Sequence, residues 1–145
     1  MARRVLPGGF ELDSDRGRLD LEAIHAYISE ESYWGRGRTR QRVKASIEGS
    51  TRVMGLYEGE RQIGFARAYS DGVTSAYLAD VYVLESYRGR GLGVELVREM
   101  IEGEGAPDVH WLLHTADAQG LYERFGFRVG PIRYPFLERP RPTLQ

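Results

Sequence analysis

Cysteine is absent from the 145 residues. Disulfide frameworks, thiolate metal sites and a cysteine nucleophile are excluded together, and a covalent thiol mechanism goes with them. Lysine is almost absent: Lys44 stands alone and every other basic side chain is arginine. Arginine stays charged and grips phosphate with a planar fork. Imine chemistry needs a lysine that can lose its proton, so it lacks its residue here. Neither sign of charge is in excess. Lys+Arg 20 against Asp+Glu 21 gives a formal net charge of -1. That balance offers no global attraction to nucleic acid or to an anionic membrane, so any anion site must be local. Long apolar runs are missing too, and Met1 to Pro7 meets a proline and then two glycines before a signal core can develop. The expectation is a cytoplasmic protein with no membrane partner. No segment repeats, and the only biased stretch is the proline-rich tail from Pro135 to Pro142. A chain of this length, 41% hydrophobic, suits one domain spanning 1–145.

Helical spacing appears first at Leu21, Ile24, Tyr27 and Ile28, behind Asp20 as a cap. Thr39 can cap a second helix through about Ile47. Between them lies an aromatic and glycine-rich connection, Tyr33-Trp34-Gly35-Arg36-Gly37-Arg38, whose arginines read as solvated, with binding of a substrate carboxylate as the alternative. From Thr51 the period becomes strand-like. Val53–Tyr57 and Ile63–Tyr69 flank a hairpin turn containing Gly59, and Ala76–Leu84 is apolar enough to read as a central strand covered on both faces. A glycine-rich loop then opens a helix carrying Leu92, Leu96, Val97, Met100 and Ile101, ended by Gly103 and Gly105. Val109–Leu113 reads as a further buried strand, Ala116–Phe125 as a helix, and Phe127–Val129 and Arg133–Leu137 as short strands. The expected order is strand, two helices, three strands, helix, strand, helix, strand. That describes a mixed α/β (α+β) sandwich on one mainly antiparallel sheet.

The most informative segment runs from Val81 to Gly93. A buried strand enters three alternating glycines, Gly89, Gly91 and Gly93, and then an amphipathic helix, so unencumbered backbone amides converge at a positive helix end. Arg88 and Arg90 can add charge-assisted hydrogen bonds to phosphate oxygens. A nucleoside triphosphatase loop would need Gly-Lys-Ser/Thr, and no lysine is near. A dinucleotide fold wants its glycines after the first strand, whereas three strands precede these. Two side chains elsewhere suggest proton chemistry. Asp80 interrupts the apolar strand, where a carboxylate needs a partner or a wet cleft. His114 ends the next strand, and a histidine is the side chain suited to act as a base near neutral pH. Either can serve as a base, or Asp80 as a binder of the substrate cation; the alternatives are a structural aspartate held by backbone amides or an arginine, and a solvated histidine at a strand end. His110 and His114 lie roughly 13 Å apart along a strand, too far to share a metal, and no metal is expected.

Arg88, Gly91 and Gly93 behind Val81-Tyr82-Val83 form Arg-x-x-Gly-x-Gly, which resembles the pyrophosphate loop of the GNAT acyltransferase superfamily. Leu121-Tyr122-Glu123 followed by Gly126-Phe127 resembles that superfamily's second signature, at the expected distance behind a strand. One departure is Thr115, where the family commonly has asparagine.

The resemblance implies a central sheet flanked by about four helices, with acetyl-CoA as co-substrate. It implies direct attack of a neutral amine on the thioester, consistent with the missing cysteine. By position, Val81 and Val83 would supply main-chain bonds to the pantetheine arm, with Tyr82 between them counted among the cofactor-binding residues; the stretch Arg88, Gly89, Arg90, Gly91, Leu92 and Gly93 would bind the pyrophosphate, and Thr115 would be a further cofactor contact. Tyr122 holds the position of the general acid toward the leaving thiolate; read alone, it is a packing residue. Tyr33 and Trp34 would wall the acceptor pocket, or else plug the helices onto the sheet. The expected activity is N-acetylation of a small-molecule amine. Its alternatives are a peptide or protein acceptor and a non-catalytic acyl-CoA sensor, and a homodimer is the assembly that similar proteins suggest.

Overall fold

A computed structural model describes residues 2–129 and 134–141. The elements are β1 (Arg3–Leu6), β2 (Phe10–Asp13), α1 (Leu21–Ala26), which runs on through a π-helical turn (Tyr27–Glu31), α2 (Arg40–Glu48), β3 (Arg52–Glu58), β4 (Arg61–Ser70), β5 (Ser75–Val83), α3 (Leu92–Glu102), β6 (His110–Leu112) and α4 (Gln119–Glu123). The six strands form one sheet in chain order. Every neighbouring pair is antiparallel except β5 and β6, which run parallel across the α3 crossover. The mixed α/β architecture is the one expected.

The helix starts follow their caps. Asp20 accepts from the Ala23 amide at 3.0 Å and Thr39 from the Arg42 amide at 3.2 Å, each satisfying a first-turn donor. α3 lays Leu92, Leu96, Val97 and Met100 on one face of the sheet, over Met54, Leu56, Ala66 and Leu78. α1 and α2 cover the other face with Ile24, Ile28, Val43 and Ile47, over Val53, Phe65 and Tyr82. Each such aliphatic side chain contributes about 1.5–3 kcal/mol on burial.

Leu78 and Tyr82 lie four residues apart on one strand, so a regular strand would put them on the same face. They face opposite sides because β5 bulges: Phe65 pairs with Tyr82 and Arg67 with Ala79, so Asp80 and Val81 together oppose a single residue of β4. Asp80 makes the bend with φ +53, a left-handed conformation that aspartate tolerates better than most residues.

Four expectations need correction. The amino-terminal strand is a two-strand hairpin, β1–β2, turning through Gly8 and Gly9. β6 is three residues long with His110 and Leu112 exposed, so it is not a buried strand. α4 begins at Gln119 rather than Ala116. Phe127–Val129 forms no strand, nor do Tyr134–Leu137; Arg133 lies outside the described residues. Apolar residues at strand spacing need a backbone edge to pair with, and a three-residue exposed strand offers little of one.

Candidate active site

β5 pairs with β6 only through Ser75, Ala76 and Tyr77. Beyond Tyr77 no strand among the described residues pairs with that edge of β5, and it leads to the start of α3. Gly89 and Gly91 adopt φ +81 and +76, and no atom lies within 4 Å of where a Cβ would sit on either. Gly91 caps α3 without a side chain, and the first helical bond outside it is from the Glu95 amide to the Gly91 carbonyl. The amides of Leu92, Gly93 and Val94 are left as unclaimed donors at the positive end of an eleven-residue helix. Bare first-turn amides behind two glycines with open space beside them fit a diphosphate, and the unpaired strand edge fits an extended amide-bearing arm.

The other end of the cleft is a cavity of about 500 Å³ between the α1–α2 connection, β4, β5 and the β6–α4 turn. At its floor Asp80 is fully engaged. Its Oδ2 accepts from Arg67 Nε at 2.7 Å and from Arg38 Nη1 at 2.8 Å, and its Oδ1 accepts from Trp34 Nε1 at 2.9 Å. The Asp80 side chain is 2% exposed and each arginine 13%. Tyr33 crosses the cleft: its hydroxyl accepts from the Ala116 amide at 2.7 Å and donates to Asp117 Oδ1 at 3.4 Å. In the wall Tyr122 is 8% exposed, with its ring edge-on to Phe127 at 5.8 Å. Its hydroxyl makes no hydrogen bond among the described residues. Burial pushes its pKa up to about 12, aided by Tyr33 and Asp117. His114 is exposed, with Nδ1 bonded to the Tyr77 hydroxyl.

A GNAT acetyltransferase domain matches residues 49–129, more than half the chain. The chain belongs to the GNAT acetyltransferase family. A crystal structure of a protein assigned to this family, from Xanthomonas campestris, superposes with a TM-score of 0.82 and 33% identity, over 92% of this chain and 94% of that one. The chain is 32% identical over 119 residues to a mycothiol acetyltransferase of Corynebacterium efficiens, covering 77% of this chain and 39% of that protein. It is 28% identical to a chloroplastic serotonin N-acetyltransferase of Oryza sativa, over 94% of this chain and 72% of that protein. Against several of these relatives the chain spans less than two thirds of their length, 39% for the Corynebacterium protein and 55% for an algal N-acetyltransferase.

Within this GNAT framework the expected site residues fall into two groups. Asp80, Val81, Tyr33, Trp34, His114, Thr115 and Tyr122 all border the cavity. Gly89, Arg90, Gly91, Leu92 and Gly93 form the loop and first turn of α3, with Arg90 over the Tyr87 ring at 5.5 Å. Several have other partners than expected. Arg88 turns back on the protein, donating from Nε to the Val83 carbonyl at 3.0 Å and from Nη2 to the Tyr27 hydroxyl at 2.8 Å. It ties the loop down and occupies the Val83 carbonyl. Tyr82 is buried against Tyr27, stacked at 3.9 Å, and so packs rather than facing the cleft. Thr115 accepts from the Ala118 amide at 3.0 Å, which makes it a local cap. Tyr33 and Trp34 stand perpendicular at 5.2 Å and cannot clamp a flat ligand between parallel faces. Arg38, read as solvated, is an ion-pair partner of Asp80; Arg36 is exposed as expected.

Arg67 and Tyr77 were missed. The signal for Arg67 was present: it interrupts the apolar run Ile63-Gly64-Phe65-Ala66 as Asp80 interrupts its own strand. Two opposite charges in adjacent apolar strands pair when the register allows.

Proposed function

We propose that this GNAT protein transfers an acetyl group from acetyl-CoA directly to the primary amine of a small molecule. The observation that carries the reading is the unbonded Tyr122 hydroxyl in the wall of a cavity reached by the open edge of β5. The small-molecule choice rests on the size of that cavity, about 500 Å³, with the Tyr33–Ala116 bond bridging two of its walls.

Acetyl-CoA, once bound, supplies an activated thioester carbonyl. The edge of β5 from Leu78 to Val81 and the first-turn amides of α3 would hold it, with Arg90 beside the phosphates. The amine nitrogen forms its bond to the carbonyl carbon as the carbon–sulfur bond breaks, and no enzyme nucleophile is needed. Tyr122 stays protonated at neutral pH. Moving its proton fully onto a thiolate of pKa near 8.5 would be uphill by roughly 5 kcal/mol, so its role is to donate a hydrogen bond to the leaving sulfur. Three donors already occupy the Asp80 carboxylate, which argues against Asp80 as the base. His114 takes that role in the tautomer whose Nδ1–H donates to Tyr77, leaving Nε2 with a free lone pair.

The test is thiol release from acetyl-CoA across a panel of small amines and short peptides, with product masses recorded. Release with small amines and a mass gain of one acetyl group is the expected result. Acetylation of peptides alone would move the acceptor to a polypeptide. Tight acetyl-CoA binding with no release to any acceptor would make the protein a sensor.

A further inference from the structure

The floor of the acceptor cavity carries more positive charge than it neutralises. Arg38 and Arg67 both bond the same oxygen of Asp80, so two guanidiniums share one carboxylate and one positive charge is left over. Neither arginine is exhausted by that contact. Arg67 uses only Nε on Asp80, which leaves its two terminal nitrogens as a parallel pair; Arg38 uses only Nη1. Among the described residues these remaining nitrogens have no protein acceptor. None of them is among the fully buried side-chain atoms that lack a hydrogen bond, so none is sealed away from solvent. Both arginines line the cavity, which brings their guanidinium heads within reach of a ligand there.

An arginine pair locked by a buried carboxylate is a preorganised receptor. Asp80 holds both heads in place before any ligand arrives, and the ligand bears little of the ordering cost. The fork of Arg67 matches the two oxygens of a carboxylate. The leftover charge matches a single negative charge better than a phosphate monoester, which carries about -1.5 to -2 at neutral pH. The other acidic group bordering the cavity, Asp117, is exposed at its mouth beside Tyr33, where solvent screens it. Around the floor stand Trp34, Tyr69 and Tyr77, which suit an apolar body.

Resting on the acetyl-transfer reading above, we propose that the acceptor is an amine that also carries a carboxylate, of the amino-acid type with an apolar side chain, and that Arg67 and Arg38 read that carboxylate. A plain arylalkylamine or alkylamine leaves their donors unpaired in a narrow cavity and binds less well for that reason.

Matched pairs test this directly: phenylalanine and phenylethylamine, tryptophan and tryptamine, leucine and 3-methylbutylamine, compared at equal concentrations of neutral amine. Two readouts are taken, binding to the CoA-saturated protein by calorimetry and kcat/KM for acetylation. At least one pair should favour the carboxylate member by about 10-fold or more in both, the equivalent of one charge-assisted hydrogen bond. Arg67→Lys keeps a cation on Asp80 and so spares the fold, but it has no fork, and the preference should fall several-fold. Equal or better binding of the decarboxylated member in every pair would overturn the proposal, and so would a preference unchanged in Arg67→Lys. A carboxylate preference in binding with no acetylation of any amine would overturn the transfer reading alone.

Discussion

The two ends of the cleft are built on opposite principles. Around Gly91 the backbone is bare: positive-φ glycines, no side-chain cap, amides with no acceptor. Around Asp80 each carboxylate oxygen is taken, by two arginines and a tryptophan. The first end is incomplete without a ligand and can be generic, because a diphosphate arm is the same whatever the acceptor. The second end holds its geometry without one. It spends its polar groups on holding a shape, and the shape, with its surplus of guanidinium, discriminates among acceptors. A substitution in the bare end should therefore remove binding and spare the fold. A substitution in the paired end should strain the fold first.

Gly91→Val gives the largest effect. The new Cβ meets no neighbour, so the fold bears only the cost of a β-branched residue at φ +76, while the side chain occupies the space a phosphate would use. Losing two charge-assisted bonds at about 1.5–3 kcal/mol each should weaken CoA binding by at least about 10²-fold. Calorimetry with CoA checks it beside a thermal melt. Unchanged affinity would place the diphosphate elsewhere and erase the contrast between the two ends.

Asp80→Asn comes next and acts on the other quantity. Asparagine accepts the left-handed backbone as readily as aspartate, so the change isolates the charge. Two mostly buried arginines would lose their counter-ion, at a cost of about 3 kcal/mol, the low end of the range for breaking a buried pair because both heads keep some solvent contact. A urea titration should show a lower midpoint with an unchanged slope. A midpoint equal to wild type would mean the triad is no more than a surface ion pair.

Tyr122→Phe tests the junction between the ends. The ring stays packed on Phe127 and the donor is lost, so kcat should fall by about 10²-fold with little change in KM for acetyl-CoA. Retained kcat would reduce Tyr122 to a packing residue.

Sequence carried the bare end further than the paired end, for a physical reason. Alternating glycines between an apolar strand and an amphipathic helix are local features, and the conformations they permit are realised within a few residues at Gly89 and Gly91. The paired end is long-range. Asp80 was visible as a charge in an apolar strand, but its partners come from positions 13, 42 and 46 residues away. Which arginines reach it depends on the β4–β5 register, and that register shifts at the bulge Asp80 itself makes. The same dependence misled the reading of Phe127–Val129, whose spacing suits a strand although the edge beside it is three residues long. Arg88 shows the limit from the other side: its place in the motif was plain, yet its bond to the Tyr27 hydroxyl spans the chain between the first helix and the loop and depends on how that helix packs.

The smallest effect concerns the state of the Tyr122 hydroxyl. Burial raises its pKa to about 12, from near 10 in an unfolded chain. A phenol whose folded pKa is raised lends its full stability below pH 10, and that contribution is lost as pH climbs toward 12, because the unfolded chain ionises first. Tyr57 and Tyr82 are raised further by deeper burial, so the wild-type protein should lose stability steeply above pH 10. Tyr122→Phe removes one such group and should flatten that loss by about 1.4 kcal/mol per pH unit between pH 10 and 12. The comparison is between urea midpoints of wild type and variant at pH 8, 10 and 11. A gap between the two proteins that stays constant with pH would mean the hydroxyl ionises equally in both states, as it would if it stood in water. The wall of the cavity would then be wet, and Tyr122 would meet the leaving sulfur as an ordinary solvated phenol, without the desolvation that lets a neutral donor discriminate a thiolate from water.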